Sequence, residues 1–87
     1  MFTVYVLYSD IHDKIYIGYT SDLQRRLLSH NELSKNTFTS KFRPWRIVYT
    51  EEFETKKEAM NREKQLKTGA GRKFVWDLIE EKNKNPL

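Results

Sequence analysis

The chain has 87 residues, 38% hydrophobic and 14% aromatic, a size and balance that suit one folded domain over residues 1–87 and argue against disorder. The absence of cysteine excludes a disulfide scaffold, a thiol nucleophile and a cysteine zinc site. Sixteen Lys and Arg against twelve Asp and Glu leave a net charge of +4, a balance that suits a polyanionic partner or simply solubility.

From the N-terminus, Phe2 to Tyr8 is β-branched and aromatic and reads as a strand. It carries no basic leader, and no apolar run approaches the roughly 20 residues that span a bilayer, so the expected address is the cytoplasm, with no membrane partner. Asp10 to Asp13 is turn-like and Ile15 to Tyr19 is a second strand, which predicts a β-hairpin. Ser21 to Gln24 has a capping-box pattern that opens a helix to about His30. Asn31 to Pro44 is polar and reads as a loop, and Trp45 to Phe53 as a third strand. Thr55 to Glu58 is a second capping box, opening a helix to about Lys67. The stretch Thr68-Gly69-Ala70-Gly71 is expected to stop it, a last helix to run from Arg72 to about Lys82, and residues 83–87 to fray. The order is ββαβαα, an α+β fold with a small, largely antiparallel three-stranded sheet. The basic charge falls in two blocks, residues 22–46 (six basic, two acidic) and 61–74 (five basic, one acidic), separated by an acidic third strand.

Polar residues stand on faces that should be apolar. With a four-residue hairpin loop, paired positions sum to 23, so Tyr5 lies opposite Gly18 and Tyr16 opposite Leu7. Both tyrosines then share one face, and Gly18 leaves room beside the Tyr5 ring; Val4, Val6, Ile15 and Ile17 make the other face. The tyrosines are either core aromatics with hydroxyls at the rim or members of a site. In the first helix Leu23, Arg26, Leu27 and His30 form one stripe, so Arg26 requires an anion, either an internal carboxylate or a phosphate. In the next helix Glu63 interrupts the apolar positions Ala59 and Leu66; it is either salt-bridged to Arg26 or a ligand for a divalent ion. Trp45 and Trp76 are expected in the core.

These residues resemble the GIY-YIG nuclease superfamily, and most of all its short stand-alone bacterial members, over nearly the whole chain. Thr3-Val4-Tyr5 stands where the family writes Gly-Ile-Tyr, and Tyr16-Ile17-Gly18 is intact. Tyr19 to Arg26 ends on the family's helix arginine, ten residues after Tyr16, with His30 four later and Glu63 in the following helix. The chain departs from the family at Thr3, and it has no asparagine between Arg72 and Lys82, the nearest being Asn83.

The resemblance implies a metal-dependent endonuclease that hydrolyses DNA phosphodiesters, with a place in repair or recombination. Tyr5, Tyr16, Arg26, His30 and Glu63 would be its catalytic residues, and Glu63 would hold Mg2+ or Mn2+. The partner would be nucleic acid, DNA rather than RNA. Lys35, Lys41, Arg43, Arg46 and Lys67 are candidates for backbone contacts, Phe38 and Phe42 for base stacking or for packing the loop, and Tyr19 and Thr20 for lining the cleft. Two other readings remain open. One is a nucleic-acid-binding module without turnover. The other is a protein adaptor in which Arg26 and Glu63 pair with each other.

Overall fold

The computed structural model describes residues 1–33, 35 and 37–84. Strand β1 (Phe2–Ser9) is central, flanked by β2 (Lys14–Thr20) and β3 (Arg46–Phe53) in the antiparallel order β2-β1-β3. The hairpin register is the expected one, with Tyr5 opposite Gly18 and Leu7 opposite Tyr16. Its loop closes on Asp13, at φ 53°, whose Oδ1 accepts the Tyr8 hydroxyl at 2.8 Å. Aspartate tolerates this left-handed conformation because its short side chain finds a local donor.

Alternation along the strands gives the sheet two buried faces. Val4, Val6, Ile15, Ile17 and Val48 pack beneath α3 (Lys56–Leu66) and α4 (Gly69–Lys84), through Ala59, Leu66, Val75 and Ile79. Tyr5, Leu7 and Trp45 form a second cluster with Leu23 and Leu27 of α1 (Leu23–Leu28). Trp45 is thus in the core as expected, and Trp76 lies at the edge of the first cluster.

Three local expectations are corrected. The cap of α1 is Asp22, whose side chain accepts from Arg25 N–H, rather than Ser21; after Leu28 the chain continues as a π-helical turn, Ser29–Leu33. The expected loop from Asn31 to Pro44 begins inside that turn and contains a short helix, α2 (Phe38–Lys41), opened by a Thr37–Ser40 capping box. It is pinned to the residue just before β3: Asn31 accepts from the Trp45 backbone N–H at 2.6 Å and donates to the Trp45 carbonyl at 3.0 Å.

Thr55 and Glu58 form the expected capping box of α3. The glycines after it belong to the first turn of α4, which Thr68 caps by accepting from Gly71 N–H at 3.2 Å. A Cβ on Gly71 would collide with the Gln65 carbonyl oxygen and lie 2.5 Å from Leu66 Cα. The glycine therefore permits a tight junction between α3 and α4 rather than merely ending a helix. Helix α4 runs through Lys84 and includes Asn83, which was expected beyond it; residues 85–87 of the expected tail lie outside the described residues. Among the described residues no helix is long and apolar enough to cross a membrane.

Candidate active site

Sequence-distant residues converge on a cleft of about 550 Å³ lined by Tyr5, Tyr16, Gly18, Arg26, Lys56 and Glu63. Tyr19 and Thr20 line it too, as expected. Strand pairing sets the two phenols side by side, with ring centroids 6.3 Å apart. Gly18 makes this approach possible: a Cβ there would lie 2.6 Å from the Tyr5 hydroxyl oxygen and 3.1 Å from Tyr16 Cε1. The space that glycine leaves is occupied by the Tyr5 ring.

Arg26 is not buried on the leucine stripe, as the spacing suggested. It stands exposed at the rim, its guanidinium against the Tyr5 and Tyr16 hydroxyls, and that contact raises its pKa above the ordinary arginine value. Burial pushes Tyr5 up to about 12, an effect that the hydrogen bond from Arg26 only partly offsets. At neutral pH Tyr5 is therefore a phenol.

His30 lies behind Tyr5, 5% exposed, with Nε2 2.9 Å from the Tyr5 hydroxyl and Nδ1 3.0 Å from Thr39 Oγ1. Burial lowers its pKa to about 4, helped by the positive charges of Arg26 and Arg43. The imidazole is thus neutral at pH 7. One direction of hydrogen bonding satisfies every group. With the Arg26 guanidinium beside its oxygen, Tyr5 donates to Nε2, Nδ1–H donates to Thr39, and the Thr39 hydroxyl donates to Thr37 Oγ1 at 3.3 Å. The sequence reading missed Thr39. It lies in a polar stretch without periodicity, and only its 4% exposure and its contact with His30 single it out.

Glu63 comes from α3, which packs against β1 and β2. Its side chain is 18% exposed, and Oε1 is 3.4 Å from Lys67 Nζ. No ion pair joins Glu63 to Arg26 among the described residues, so the adaptor reading loses the pairing on which it was built. Among the described residues Glu63 is the one carboxylate lining the cleft, and no three His, Cys, Asp or Glu side chains gather to hold a metal. One carboxylate with nearby hydroxyls does not suit zinc, which takes three or four protein ligands. It does fit a hard cation that keeps most of its waters, such as Mg2+ or Mn2+.

Of the expected backbone-contact residues, Lys35 and Lys41 are exposed. Arg43 instead donates to the His30 and Ser29 carbonyls, at 2.6 and 3.3 Å, securing the π-helical turn. Arg46 makes a two-pronged contact with the Asp10 carboxylate, at 2.7 and 3.1 Å. Phe42 packs in the second core cluster, whereas Phe38 is 49% exposed.

The model of the GIY-YIG catalytic domain matches residues 1–74. The chain belongs to the GIY-YIG family. It is 42% identical to a UPF0213 protein of Bacillus velezensis over 73 residues, which covers 84% of this chain and 73% of that one. A UPF0213 protein of Staphylococcus saprophyticus is 39% identical over 67 residues, 77% of this chain and 80% of the relative. The solution NMR structure of UPF0213 protein BH0048 from Bacillus halodurans superposes with a TM-score of 0.53 at 31% identity, covering 90% of this chain and 85% of that one. The three-stranded antiparallel sheet with its helices is the GIY-YIG fold. Membership places the chain in a nuclease superfamily that acts on nucleic acids and generally uses divalent metals.

Proposed function

We propose that this protein is a Mg2+-dependent endonuclease that hydrolyses DNA phosphodiester bonds in one step. The observation that carries the reading is the meeting of Tyr5, Tyr16, Arg26 and Glu63 on one cleft, with His30 buried behind Tyr5. Glu63 would hold the ion, which when bound supplies Lewis-acid charge to the scissile phosphate. Arg26 binds the non-bridging oxygens and stabilises the charge that grows on them. Tyr16, half-buried in the cleft, orients the attacking water. The Tyr5 oxygen accepts the water's proton as its own passes to His30 Nε2, so no phenolate need exist at rest. One P–O bond forms to water and one breaks, and the leaving oxygen takes a proton from solvent.

The test is nicking of supercoiled plasmid with and without Mg2+. Arg26→Ala is expected to lower the rate by about 10²- to 10³-fold, as loss of one preorganised donor does elsewhere. Glu63→Gln is expected to abolish nicking. Metal-dependent nicking that survives in both variants overturns the proposal. The second reading, a binding module without turnover, draws support from Lys67, which pairs with the carboxylate that an ion would need. Salt-sensitive DNA binding, indifferent to Mg2+ and without nicking, favours it.

A further inference from the structure

A second groove, of about 580 Å³, adjoins the cleft, and Tyr16 lines both. Its charged residues are Lys14, Lys67, Arg72 and Asp13, an excess of cations. The Asp13 carboxylate already accepts the Tyr8 hydroxyl, and Lys67 reaches Glu63. Lys14 Nζ sits 5.5 Å from the centre of the Phe42 ring. Arg72 is exposed, and no ion pair engages it among the described residues. The groove's free aromatic surface is Phe38, 49% exposed although its ring leans on Phe42 at 4.9 Å between centroids. Trp76 lines the groove as well, its ring edge-on to Tyr8 at 6.1 Å between centroids.

We propose that this groove holds an unpaired nucleotide of the strand being cut, its base stacked on Phe38 and its phosphate against Arg72 and Lys14. The inference deepens the nuclease reading and rests on it, since it takes the neighbouring cleft as the place of cutting. Cations beside an exposed ring, in a concave track, are what a single strand requires. A duplex keeps its base faces stacked inside, so it offers Phe38 nothing to bind. Of the sequence's two basic blocks, the second supplies the groove with Lys67 and Arg72, while the first contributes only the uncharged Phe38 and the hairpin adds Lys14.

The test uses the full chain in EDTA, so that nothing is cut, and a ten-residue single-stranded oligodeoxynucleotide containing 2-aminopurine. Binding is read by anisotropy and stacking by quenching of the purine. Phe38→Leu is expected to weaken binding about tenfold and to lose the quenching, within the range that one base–ring stack contributes. Phe38→Tyr keeps the ring and is expected to keep both signals. Arg72→Gln is expected to lower the slope of log affinity against log salt by about one. Equal affinity for an abasic oligonucleotide of the same length, or Phe38→Leu binding within about twofold of wild type, overturns the proposal. Oligonucleotide binding indifferent to Phe38, in a protein that nicks plasmid with Mg2+, refutes the groove alone. Binding dependent on Phe38, in a protein that never nicks, refutes the nuclease alone.

Discussion

The two faces of the sheet are made by alternate residues of the same strands, yet they are built on different terms. Val4, Val6, Ile15 and Ile17 need only shape and burial, supplied by Leu66, Val75 and Ile79 above them. Tyr5 and Tyr16 face the other way, where His30 and Thr39 are buried as well. There every buried polar group needs a partner, and among the described residues no buried side-chain nitrogen or oxygen lacks one. Strand alternation thus separates an apolar half, which supplies stability, from a polar half whose hydrogen bonds hold a site. A substitution on the first face should cost stability and spare the chemistry; one on the second should touch both.

The largest effect is expected on the apolar face. Leu66 is 1% exposed, and Leu66→Ala should lower unfolding free energy by about 2–5 kcal/mol, through lost transfer energy and the cavity left behind. Urea titration measures the loss. Plasmid nicking well below the melting temperature should be nearly unchanged, and a parallel collapse of nicking would show the two faces to be coupled.

The polar face predicts an acid sensitivity that the apolar face cannot have. The folded chain keeps His30 neutral down to about 4, against 6.5 for the free side chain. Between those values the unfolded chain binds the extra proton. His30 therefore leaves stability intact above pH 6.5, and stability is lost as pH falls from 6.5 to about 4. The full loss approaches about 3 kcal/mol, the free-energy equivalent of that shift. His30→Gln, compared with wild type by urea titration at several pH values, should flatten this slope; an unchanged slope would place the sensitivity elsewhere. The proposed relay needs the neutral ring, so nicking should also fade toward pH 4.

Much of this division could be read without coordinates, because strand pairing is arithmetic. Once the turn is placed at Asp10 to Asp13, the positions of Tyr5, Tyr16 and Gly18 follow, and period-2 alternation assigns both faces. Glu63 was visible as a charge between Ala59 and Leu66 on one helix face. What escaped depends on partners distant in sequence. Gly71 looks like a helix stop locally, but its role lies against Gln65 and Leu66. Nor does the sequence show that Arg43 donates to the Ser29 and His30 carbonyls, or that Arg46 pairs with the Asp10 carboxylate. The segment from Asn31 to Pro44 has no apolar period because its order comes from hydrogen bonds, such as those between Asn31 and Trp45.

A smaller effect is expected at Gly18, where the two faces share a backbone. Its φ is not positive, so alanine strains nothing in the chain itself; the conflict is with the Tyr5 ring first and the Tyr16 ring second. Tyr5 is 1% exposed and tied to His30, and has no room to retreat. Gly18→Ala should therefore cost about 1–3 kcal/mol, the range for overpacking. By contrast, a Cβ on Gly69 meets nothing within 4 Å, and Gly69→Ala should stabilise by about 0.4–1 kcal/mol through the unfolded chain alone. Thermal and urea unfolding of the pair would test the contrast, which fails if the two substitutions shift stability in the same direction.

The smallest expected loss of stability isolates the hydrogen bonding itself. Thr39→Val preserves the size of a side chain that is 4% exposed but removes the oxygen 3.0 Å from His30 Nδ1. Leaving that group unpartnered should cost about 1 kcal/mol, at the low end for a buried polar group. The functional consequence should be larger than this figure suggests. With no acceptor at Nδ1, the imidazole gains by moving its proton to Nε2, which then donates to Tyr5 instead of accepting from it. Nitrogen NMR shifts of His30 should record the change of tautomer. Nicking should fall about tenfold, less than the roughly 10²- to 10⁴-fold that a positioned proton acceptor contributes, because the ring stays in place and only its tautomer changes. Thr39→Ser restores the oxygen and should restore both signals, whereas a defect that serine fails to repair would mean that Thr39 matters for its methyl group, as packing, and not for the direction in which His30 holds its proton.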